Sequence, residues 1–244
     1  MRGWFVTGTD TGVGKTALAA ALLAAGRLAG RPWAAMKPVQ TGVRRAGDGR
    51  LAGDLRLIAA AGGWVPSAAE RSLAAPYVFA EPCSPHRAAA LEGAAISFRR
   101  IRHAARMLAG RYEALIVEGA GGLLVPVRGR RTMMDLACAL GLPLLIASRP
   151  GLGTLNHTLL TVAAARRAGL EVGGVALVRT KAGGPTALEL DNATTLRRLG
   201  VPVLGWLPYM PGWPRRPRSA VELMLADPAA RWLHRLAAAA GRWS

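Results

Sequence analysis

The sequence has few cysteines, no long apolar run and almost no lysine. Cys83 and Cys138 are its only cysteines, too few for a framework of several disulfides, and no Cys/His cluster has zinc-ligand spacing. The most apolar stretch, residues 133–148, is interrupted by Asp135 and Pro143, whereas a membrane span needs about 18 or more apolar residues in a row. These absences exclude a disulfide scaffold and a zinc module, and they predict no membrane partner.

Acidic residues are also scarce. The chain has 32 basic and 14 acidic residues, which give it a formal net charge of +18. Such a charge often marks a nucleic-acid-binding protein. Here 29 of the basic residues are Arg and three are Lys, and the arginines are spread along the chain without a recognisable reading module. Joint enrichment in Arg, Ala, Gly and Pro is typical of a coding bias, so we predict no nucleic-acid partner.

The 244 residues are enough to bury a core without a disulfide or a structural metal. Short apolar runs alternate with Ala- and Leu-rich helical stretches, as in βαβ units with a parallel sheet. We therefore predict an α/β fold of one domain over residues 1–244, a single doubly wound parallel sheet with helices on both faces. The N-terminus has no apolar segment of the signal-peptide type, so we expect a cytoplasmic protein.

The predicted strands are Trp4–Gly8, Trp33–Lys37, Ala114–Glu118, Pro143–Ser148, Val172–Val178 and Val201–Leu207. The predicted helices are Lys15–Leu28, Asp54–Ala61, Met134–Leu140, Thr154–Ala168 and a closing helix, Val221–Ala239. Ligands of such sheets bind at the carboxyl ends of the strands, so functional residues are expected just after each strand.

The strongest motif is the glycine-rich stretch from Gly8 to Thr16, between a predicted strand and a predicted helix. Backbone N–H groups of such a loop bind phosphates at a helix N-terminus. Lys15 is placed to reach the β- and γ-phosphates, and the Thr16 hydroxyl to ligate Mg²⁺. Five residues rather than the usual four separate Gly8 from Gly14. We nevertheless predict a P-loop NTPase type of site.

Three further residues lie at predicted element ends. Lys37 ends the second strand of a chain that otherwise uses Arg, and a compact ammonium suits a transferring phosphoryl group. Glu118 ends an apolar strand, where solvation is poor, and Mg²⁺ commonly takes one or two carboxylates plus substrate phosphates. Asp54 begins a helix, so it is either an N-cap or a second metal ligand, and the sequence leaves both open.

A second glycine-rich turn, Gly151–His157, enters a helix. Its free backbone N–H groups can bind an anion such as a carboxylate, or the turn can be only a tight connection. His157 and His86 are isolated, and Ser84 beside His86 lacks an acidic third member at readable spacing, so no hydrolase triad is predicted.

Together these segments resemble the ATP-dependent dethiobiotin synthetases of biotin synthesis. The Ala-Glu-Pro-x-Ser-Pro-His block with Glu-Gly-Ala-Gly-Gly is far more specific than the Gly-Lys-Thr loop, which many ATPases share. The matching blocks, in family order over about residues 4–210, are Phe5–Thr11 with Gly14–Thr16, Lys37–Val39, Phe79–Pro82 with Ser84–His86, Val117–Gly122, and Asn156–His157 with Leu160–Thr161.

The resemblance implies a homodimer that closes a ureido ring. In that family 7,8-diaminopelargonic acid takes up CO₂ as a carbamate, the carbamate attacks the γ-phosphate of ATP, and the second amine displaces phosphate. It also implies that Thr16, Asp54 and Glu118 hold Mg²⁺ and that Lys15 and Lys37 are catalytic, stabilising the carbamate and the phosphoryl group.

Binding residues follow from the same resemblance. The implied substrate site is Thr41 with Gly153, Thr154, Leu155 and Asn156 of the neighbouring subunit. The implied nucleotide site is Gly12, Val13, Gly14, Lys15, Thr16, Ala17, Asp54, Glu118, Gly119, Ala120, Gly121, Val178, Arg179, Pro208, Tyr209 and Met210.

Two departures from the family pattern concern the base. An Asn-Asp pair often contacts the adenine where this chain has Val178 and Arg179, and a valine side chain neither donates nor accepts a hydrogen bond. We therefore expect several nucleoside triphosphates to be used. The Pro/Arg/Trp-rich segment 211–218 does not align with the family pattern, and we treat 211–244 as a poorly aligned extension that ends in the closing helix.

Two other functions stay open at this point. One is a related P-loop ATPase of the partitioning type, which usually carries a second lysine in the phosphate loop, where Asp10 stands here. The other is an amidating synthetase of the cobyrinate type, which needs a glutaminase domain with a nucleophilic cysteine. The 34 residues after Met210 are too few for such a domain.

Overall fold

The computed structural model of the protein describes residues 1–43 and 53–239. The strands are β1 (Gly3–Gly8), β2 (Trp33–Met36), β3 (Val39–Gln40), β4 (Tyr77–Val78), β5 (Ala114–Glu118), β6 (Pro126–Arg128), β7 (Arg131–Thr132), β8 (Leu144–Ser148), β9 (Val172–Val178) and β10 (Val203–Leu207). Six of them form a parallel sheet in the order β10-β9-β8-β1-β5-β2, while β3 pairs with β4 and β6 with β7. The predicted parallel α/β fold is confirmed.

The helices are α1 (Lys15–Leu28), α2 (Gly53–Gly62), α3 (Ala68–Ala74), α4 (Pro85–Leu91), α5 (Phe98–Ala109), α6 (Met133–Leu140), α7 (Thr154–Arg167), α8 (Ala187–Arg198), α9 (Pro217–Leu225) and α10 (Arg231–Ala239). They cover the sheet, with α1 packed against α2, α9 and α10, and with α7 packed against α8. Within the described ranges, none of them is long and apolar enough to cross a membrane. The last five residues of the predicted domain lie outside the described residues.

The predicted closing helix Val221–Ala239 is wrong. Helix α9 ends at Leu225, a short 3₁₀ turn follows at Pro228–Ala230, and α10 begins at Arg231. Pro228 has no backbone N–H to donate, and it disfavours helical geometry at the residue before it. Asp227 instead caps the new turn, because its side chain accepts a hydrogen bond of 2.8 Å from the Ala229 N–H.

The segment between α2 and β5 contains three helices that the sequence analysis did not predict. Helix α3 begins with a reciprocal capping box, in which Ser67 and Glu70 each accept from the other's backbone N–H. The same Glu70 accepts a hydrogen bond of 3.0 Å from the Tyr112 hydroxyl, which in turn accepts one from the Trp64 indole at 3.1 Å. This chain of side chains ties α3 to the turn that enters β5.

Helix α1 lies at the centre of the packing. Eleven of its residues are buried, and it contacts β1, β2, β5 and β8 as well as three helices. An Ala-rich helix can approach its neighbours this closely because its side chains are small. Gly26 shows how tight the fit is, since a Cβ at this position lies 2.3 Å from the ring of the fully buried Trp33.

We expect the substitution Gly26→Ala to destabilise the protein by up to about 2 kcal/mol. Overpacking typically costs ~1–3 kcal/mol, and the contact of 2.3 Å with a fully buried ring favours the upper part of that range, so the gain of about 1 kcal/mol in helix propensity does not offset it. Gly110→Ala is the matched control, because Gly110 has an ordinary φ of −74° and its Cβ meets only normal contacts. Urea unfolding of both variants measures the difference, and equal stability of the two contradicts the tight contact.

Candidate active site

The carboxyl ends of β1, β2 and β5 meet around a cavity of about 360 Å³. It lies at the edge of the sheet where the sequence predicts ligands. The structure therefore brings the predicted phosphate loop, Lys37, Thr41, Asp54 and Glu118 into one place. The residues lining the cavity are Thr11, Gly12, Gly14, Lys15, Thr16, Ala17, Lys37, Val39, Gln40, Thr41, Asp54, Glu118, Ala120, Gly121 and Trp213.

The phosphate loop connects β1 to α1 and depends on two glycines. Gly12 has a φ of +71° and Gly14 a φ of +97°, both in the left-handed region that glycine tolerates best. Gly14 is also close to Val178, because a Cβ added to it lies 2.4 Å from Val178 Cγ1. Helix α1 then begins at Lys15 without a side-chain cap, so its first backbone N–H groups are available to an anion.

Lys15 is folded back onto this loop. Its Nζ donates a hydrogen bond of 2.7 Å to the Asp10 carbonyl oxygen. Burial lowers the pKa of the Lys15 ammonium, the nearby Lys37 lowers it further, and Glu118 partly opposes both. A lysine that is desolvated beside another cation gains most from an anion placed between the two.

Lys37 is the centre of a buried ionic cluster. Its Nζ lies 2.7 Å from Glu118 Oε1 and 2.9 Å from Asp54 Oδ2, and it also donates to the Gly119 carbonyl at 3.0 Å. Burial by itself lowers the pKa of Lys37, but the Glu118 and Asp54 carboxylates outweigh burial and hold it above its ordinary value. The ammonium is thus charged and fixed in position where β2 ends.

Glu118, Asp54 and Thr16 form a donor set that fits a divalent cation. The Thr16 hydroxyl donates to Glu118 Oε1 at 3.1 Å, whereas Glu118 Oε2 is buried and has no hydrogen-bond partner in the described part of the chain. A buried carboxylate oxygen without a hydrogen-bond partner is rare in folded proteins, and a bound ion is one explanation for it. Two carboxylates and a hydroxyl match the oxygen ligands that Mg²⁺ takes beside substrate phosphates.

The two carboxylates differ in their electrostatics. Burial raises the pKa of Glu118, and the Lys37 ammonium opposes the shift. For Asp54, burial also raises the pKa, but Lys37 and hydrogen bonds from Lys37, Thr16 and Gln40 outweigh it and leave the pKa below its ordinary value. Asp54 therefore supplies a firmly ionised group at the mouth of the cavity.

Gln40 positions Asp54, a role that the sequence analysis missed. The Asp54 N–H donates to Gln40 Oε1 at 3.0 Å, and Gln40 Nε2 donates to the Thr41 carbonyl at 3.0 Å. Asp54 is the second residue of α2, so it lies inside the first turn rather than at the N-cap. Its position next to Lys37 and Thr16 favours the metal-ligand alternative over simple capping.

The predicted substrate turn borders a different cavity of about 630 Å³. Gly153, the N-cap residue of α7, has a φ of +88°, and Thr154 is held in a buried hydroxyl network with Ser148 and Thr158 at 2.8–3.2 Å. Arg179 lines this second cavity and not the first, and it is paired with the Gly183 carbonyl and Glu189. Within one chain, the turn and Lys37 thus line separate cavities.

The other predicted nucleotide residues do not line the cavity at Lys37. Val178 packs behind Gly14, and Val13 is fully buried beneath the loop. Pro208, Tyr209 and Met210 follow β10, with Tyr209 exposed and Met210 buried. The residue from this part of the described chain that does line the cavity is Trp213, which the sequence analysis did not assign.

Curated relatives cover nearly the whole chain. The ATP-dependent dethiobiotin synthetase BioD of Anaeromyxobacter dehalogenans strain 2CP-C is 47% identical over 226 residues, which are 93% of this chain and 98% of the relative. The BioD of Aromatoleum aromaticum strain EbN1 is 39% identical over 213 residues, covering 86% of this chain and 92% of the relative. A family model described as an AAA domain matches residues 2–215.

Solved structures with the same fold are more distant in sequence. The cell division ATPase MinD of Pyrococcus furiosus superposes with a TM-score of 0.60 at 17% identity, covering all of both chains. The ParA family ATPase of Chlorobium tepidum gives a TM-score of 0.58 at 13% identity, covering 98% of this chain and 99% of that one. At such identities the likeness shows the fold alone, which is of the P-loop NTPase type.

We expect Gly14→Ala to destabilise the protein more than Gly12→Ala, by about 1 kcal/mol or more. Both variants place an alanine at a positive φ, but a Cβ at Gly12 meets nothing within 4 Å, whereas one at Gly14 overlaps Val178. Overpacking of this kind costs ~1–3 kcal/mol. Urea unfolding measures both, and a double-mutant cycle with Val178→Ala should recover part of the difference. Equal losses in the two glycine variants contradict the close packing of Val178 on the loop.

Proposed function

Because this chain belongs to the ATP-dependent dethiobiotin synthetase family, we propose that the cavity at the ends of β1, β2 and β5 closes a ureido ring. The chain is an ATP-dependent ligase of biotin synthesis. In the proposed reaction, 7,8-diaminopelargonic acid takes up CO₂ as a carbamate, and a carbamate oxygen attacks the γ-phosphorus of ATP while ADP leaves. The second amine then attacks the carbamoyl carbon, and inorganic phosphate leaves.

The observation that carries this proposal is the position of Lys37. Its ammonium projects from the end of β2 into the cavity bordered by the phosphate loop, where Glu118 and Asp54 hold it charged. The oxygens of a carbamate and of a transferring phosphoryl group both gain negative charge as the reaction proceeds. A fixed cation aimed at these oxygens stabilises the transition state more than the ground state.

The phosphate loop and Lys15 bind the triphosphate. The first N–H groups of α1 face the cavity and receive phosphate oxygens at the positive end of the helix. Lys15 exchanges its hydrogen bond to the Asp10 carbonyl for one to a phosphate oxygen. Lys15 and Lys37 then approach the γ-phosphate from two elements of the fold.

Thr16, Asp54 and Glu118 hold Mg²⁺ in this proposal, and the metal neutralises charge on the phosphates of ATP. Among the described residues Glu118 Oε2 is buried and has no hydrogen-bond partner, so it is the oxygen that we expect to contact the metal. Gln40 keeps the Asp54 carboxylate at the cavity by accepting from the Asp54 N–H. Removing the Gln40 side-chain amide should therefore change the position of the Asp54 carboxylate and not its charge.

The substrate site needs a second copy of the chain. Thr41 lines the cavity at Lys37, whereas the turn Gly153–Asn156, which offers N–H groups for the substrate carboxylate, does not. An apolar groove beside the phosphate loop contains Leu124 and Leu160, which are 64% and 61% exposed. Leu152 next to the turn is 93% exposed, and in the proposed dimer these leucines would be covered by the second copy.

The proposal includes a homodimer working in the cytoplasm. A two-fold axis places the turn of each chain against the Lys37 cavity of the other, because an isologous interface repeats every contact twice. A cytoplasmic location is supported by the use of ATP and by the free thiols of Cys83 and Cys138.

The likeness to MinD and ParA ATPases does not favour a partitioning function. Their identity to this chain is 13–17%, whereas the dethiobiotin synthetases named above are 39–47% identical to it. Asp10, which stands where such ATPases usually have a second lysine, is engaged in an ion pair of 2.9 Å with Arg149.

We expect Lys37→Gln to lower turnover at least ~100-fold while leaving nucleotide binding largely intact. The lost charge acts on oxygens that become negative in the transition state, which is the pattern of an interaction made mainly there. Lys37→Arg should not restore turnover, because the guanidinium is larger and spreads its charge over a plane. The assay is phosphate release from Mg·ATP with and without 7,8-diaminopelargonate and bicarbonate, with ADP affinity measured by calorimetry.

The assay also tests the function itself. In the unaltered protein, phosphate release should depend on both the diamine and bicarbonate, and dethiobiotin should form in equal amount. A rate of phosphate release that does not depend on the diamine would overturn the proposed reaction. Near-normal turnover of Lys37→Gln would remove Lys37 from the mechanism and leave the rest of the site in place.

Mixing two inactive variants tests the dimer. A Lys37→Gln chain retains a good turn, and a Gly153→Asp chain, whose carboxylate repels the substrate carboxylate, retains a good Lys37. Each heterodimer therefore has one intact site, so an equal mixture should recover about one quarter of the unaltered activity. No recovery after subunit exchange, or full activity of a monomer in dilute solution, contradicts the shared site.

A further inference from the structure

Trp213 belongs to the Pro/Arg/Trp-rich segment between β10 and α9, which the proposed reaction does not use. It is nevertheless one of the residues that line the cavity of the phosphate loop, and it is the aromatic residue among them in the described chain. The remaining lining residues, apart from Val39, are polar, charged or small. A large apolar ring therefore faces a cavity that is otherwise built for anions.

The position of Trp213 is set by the elements around it. Its backbone N–H donates to the Met210 carbonyl at 3.1 Å, and the Arg216 N–H donates to the Gly212 carbonyl at 2.8 Å. Helix α9 follows directly and packs against α1 and α2 through buried apolar side chains. The indole is thus part of a fixed wall.

The Trp213 side chain is only partly covered by the protein. Trp213 is partly exposed, and its ring rests on the core with only part of its surface. Within the described residues, no hydrogen bond to its indole N–H is present. Buried Tyr and Trp side chains usually find such a partner, so an indole left half-covered at a site is well suited to contact a ligand.

The chemistry of the lining decides which part of a ligand Trp213 contacts. Lys37, Asp54 and Glu118 line the same cavity and suit phosphate oxygens or a metal ion, whereas an aromatic ring suits neither. The part of a bound nucleotide that offers a flat apolar face is its nucleoside.

We propose that the Trp213 indole packs against the nucleoside of the bound nucleotide and supplies affinity that does not depend on which base is present. The proposal rests on the proposed use of this cavity for ATP. Aromatic stacking tolerates every base because each base has a π-face. This property suits a chain in which Val178 offers no hydrogen bond to the base.

Calorimetry with two ligands tests the proposal. Trp213→Ala should raise the Kd of Mg·ADP at least ~10-fold, within the 5- to 150-fold range typical of base–aromatic stacking. The Kd of inorganic tripolyphosphate with Mg²⁺, which has no nucleoside, should change less than about twofold. Trp213→Phe should stay within about threefold of the unaltered protein for both ligands. Mg·GDP should be weakened by the alanine variant as much as Mg·ADP.

Trp206→Phe is the matched control, because Trp206 is a partly buried tryptophan of β10 that does not line the cavity. It should leave both affinities unchanged. Thermal unfolding of each variant identifies a general loss of structure. If the alanine variant does not fold, Trp213→Phe is used in its place. A Phe variant whose affinities for tripolyphosphate and ADP are weakened equally overturns the proposal.

Three other results also overturn it. These are equal weakening of ADP and tripolyphosphate by Trp213→Ala, no weakening of either, and a raised KM for the diamine with an unchanged Kd for ADP. The Kd measurements with ADP and tripolyphosphate do not depend on ring closure. An enzyme that fails to make dethiobiotin but shows the ADP-specific loss would therefore overturn the proposed reaction and support the role of Trp213.

Discussion

A buried ammonium held between two carboxylates is the interaction on which the site depends. Lys37 and Glu118 are 4% and 1% exposed, so each would be strongly destabilising without its partner. The third member, Asp54, comes from α2 and is bound to Lys37 at 2.9 Å. The cluster therefore joins the end of β2, the end of β5 and the first turn of α2, and it fixes their relative positions through charge.

Much of this arrangement was predictable because local pattern and sheet geometry agree. The apolar runs of β1, β5 and β9 and the Gly-Lys-Thr start of α1 predicted their elements to within a residue or so. Lys37 and Glu118 were then located by one rule, that ligands meet the carboxyl ends of parallel strands. The scarcity of lysine in an Arg-rich chain marked Lys37 further, because a rare choice at a strand end needs a chemical reason.

What the pattern did not predict depends on tertiary contacts. In the sequence, Gln40 is an ordinary polar residue after a strand, and only the fold brings the Asp54 N–H into hydrogen-bond contact with it. Trp213 is more than 170 residues from Lys37 in sequence, yet it lines the same cavity. Helix α3 was missed although it could have been predicted, because its capping box of Ser67 and Glu70 is visible in the sequence. The break before α10 was also readable, because Pro228 cannot continue a helix. Arg179 was placed by analogy with the family, and in this chain it turns towards Glu189 instead.

Three lysines in a chain with 29 arginines have a practical consequence for labelling. Lys15 and Lys37 are buried at the site, and Lys181, beside the cavity of the α7 turn, is the lysine whose amine is exposed. Acylating reagents modify primary amines and leave guanidinium groups untouched. Although the protein is strongly cationic, Lys181 is its one accessible lysine. Coupling to a surface or a dye through amines should therefore attach each protein molecule either at Lys181 or at the α-amino group of the chain, which allows few orientations.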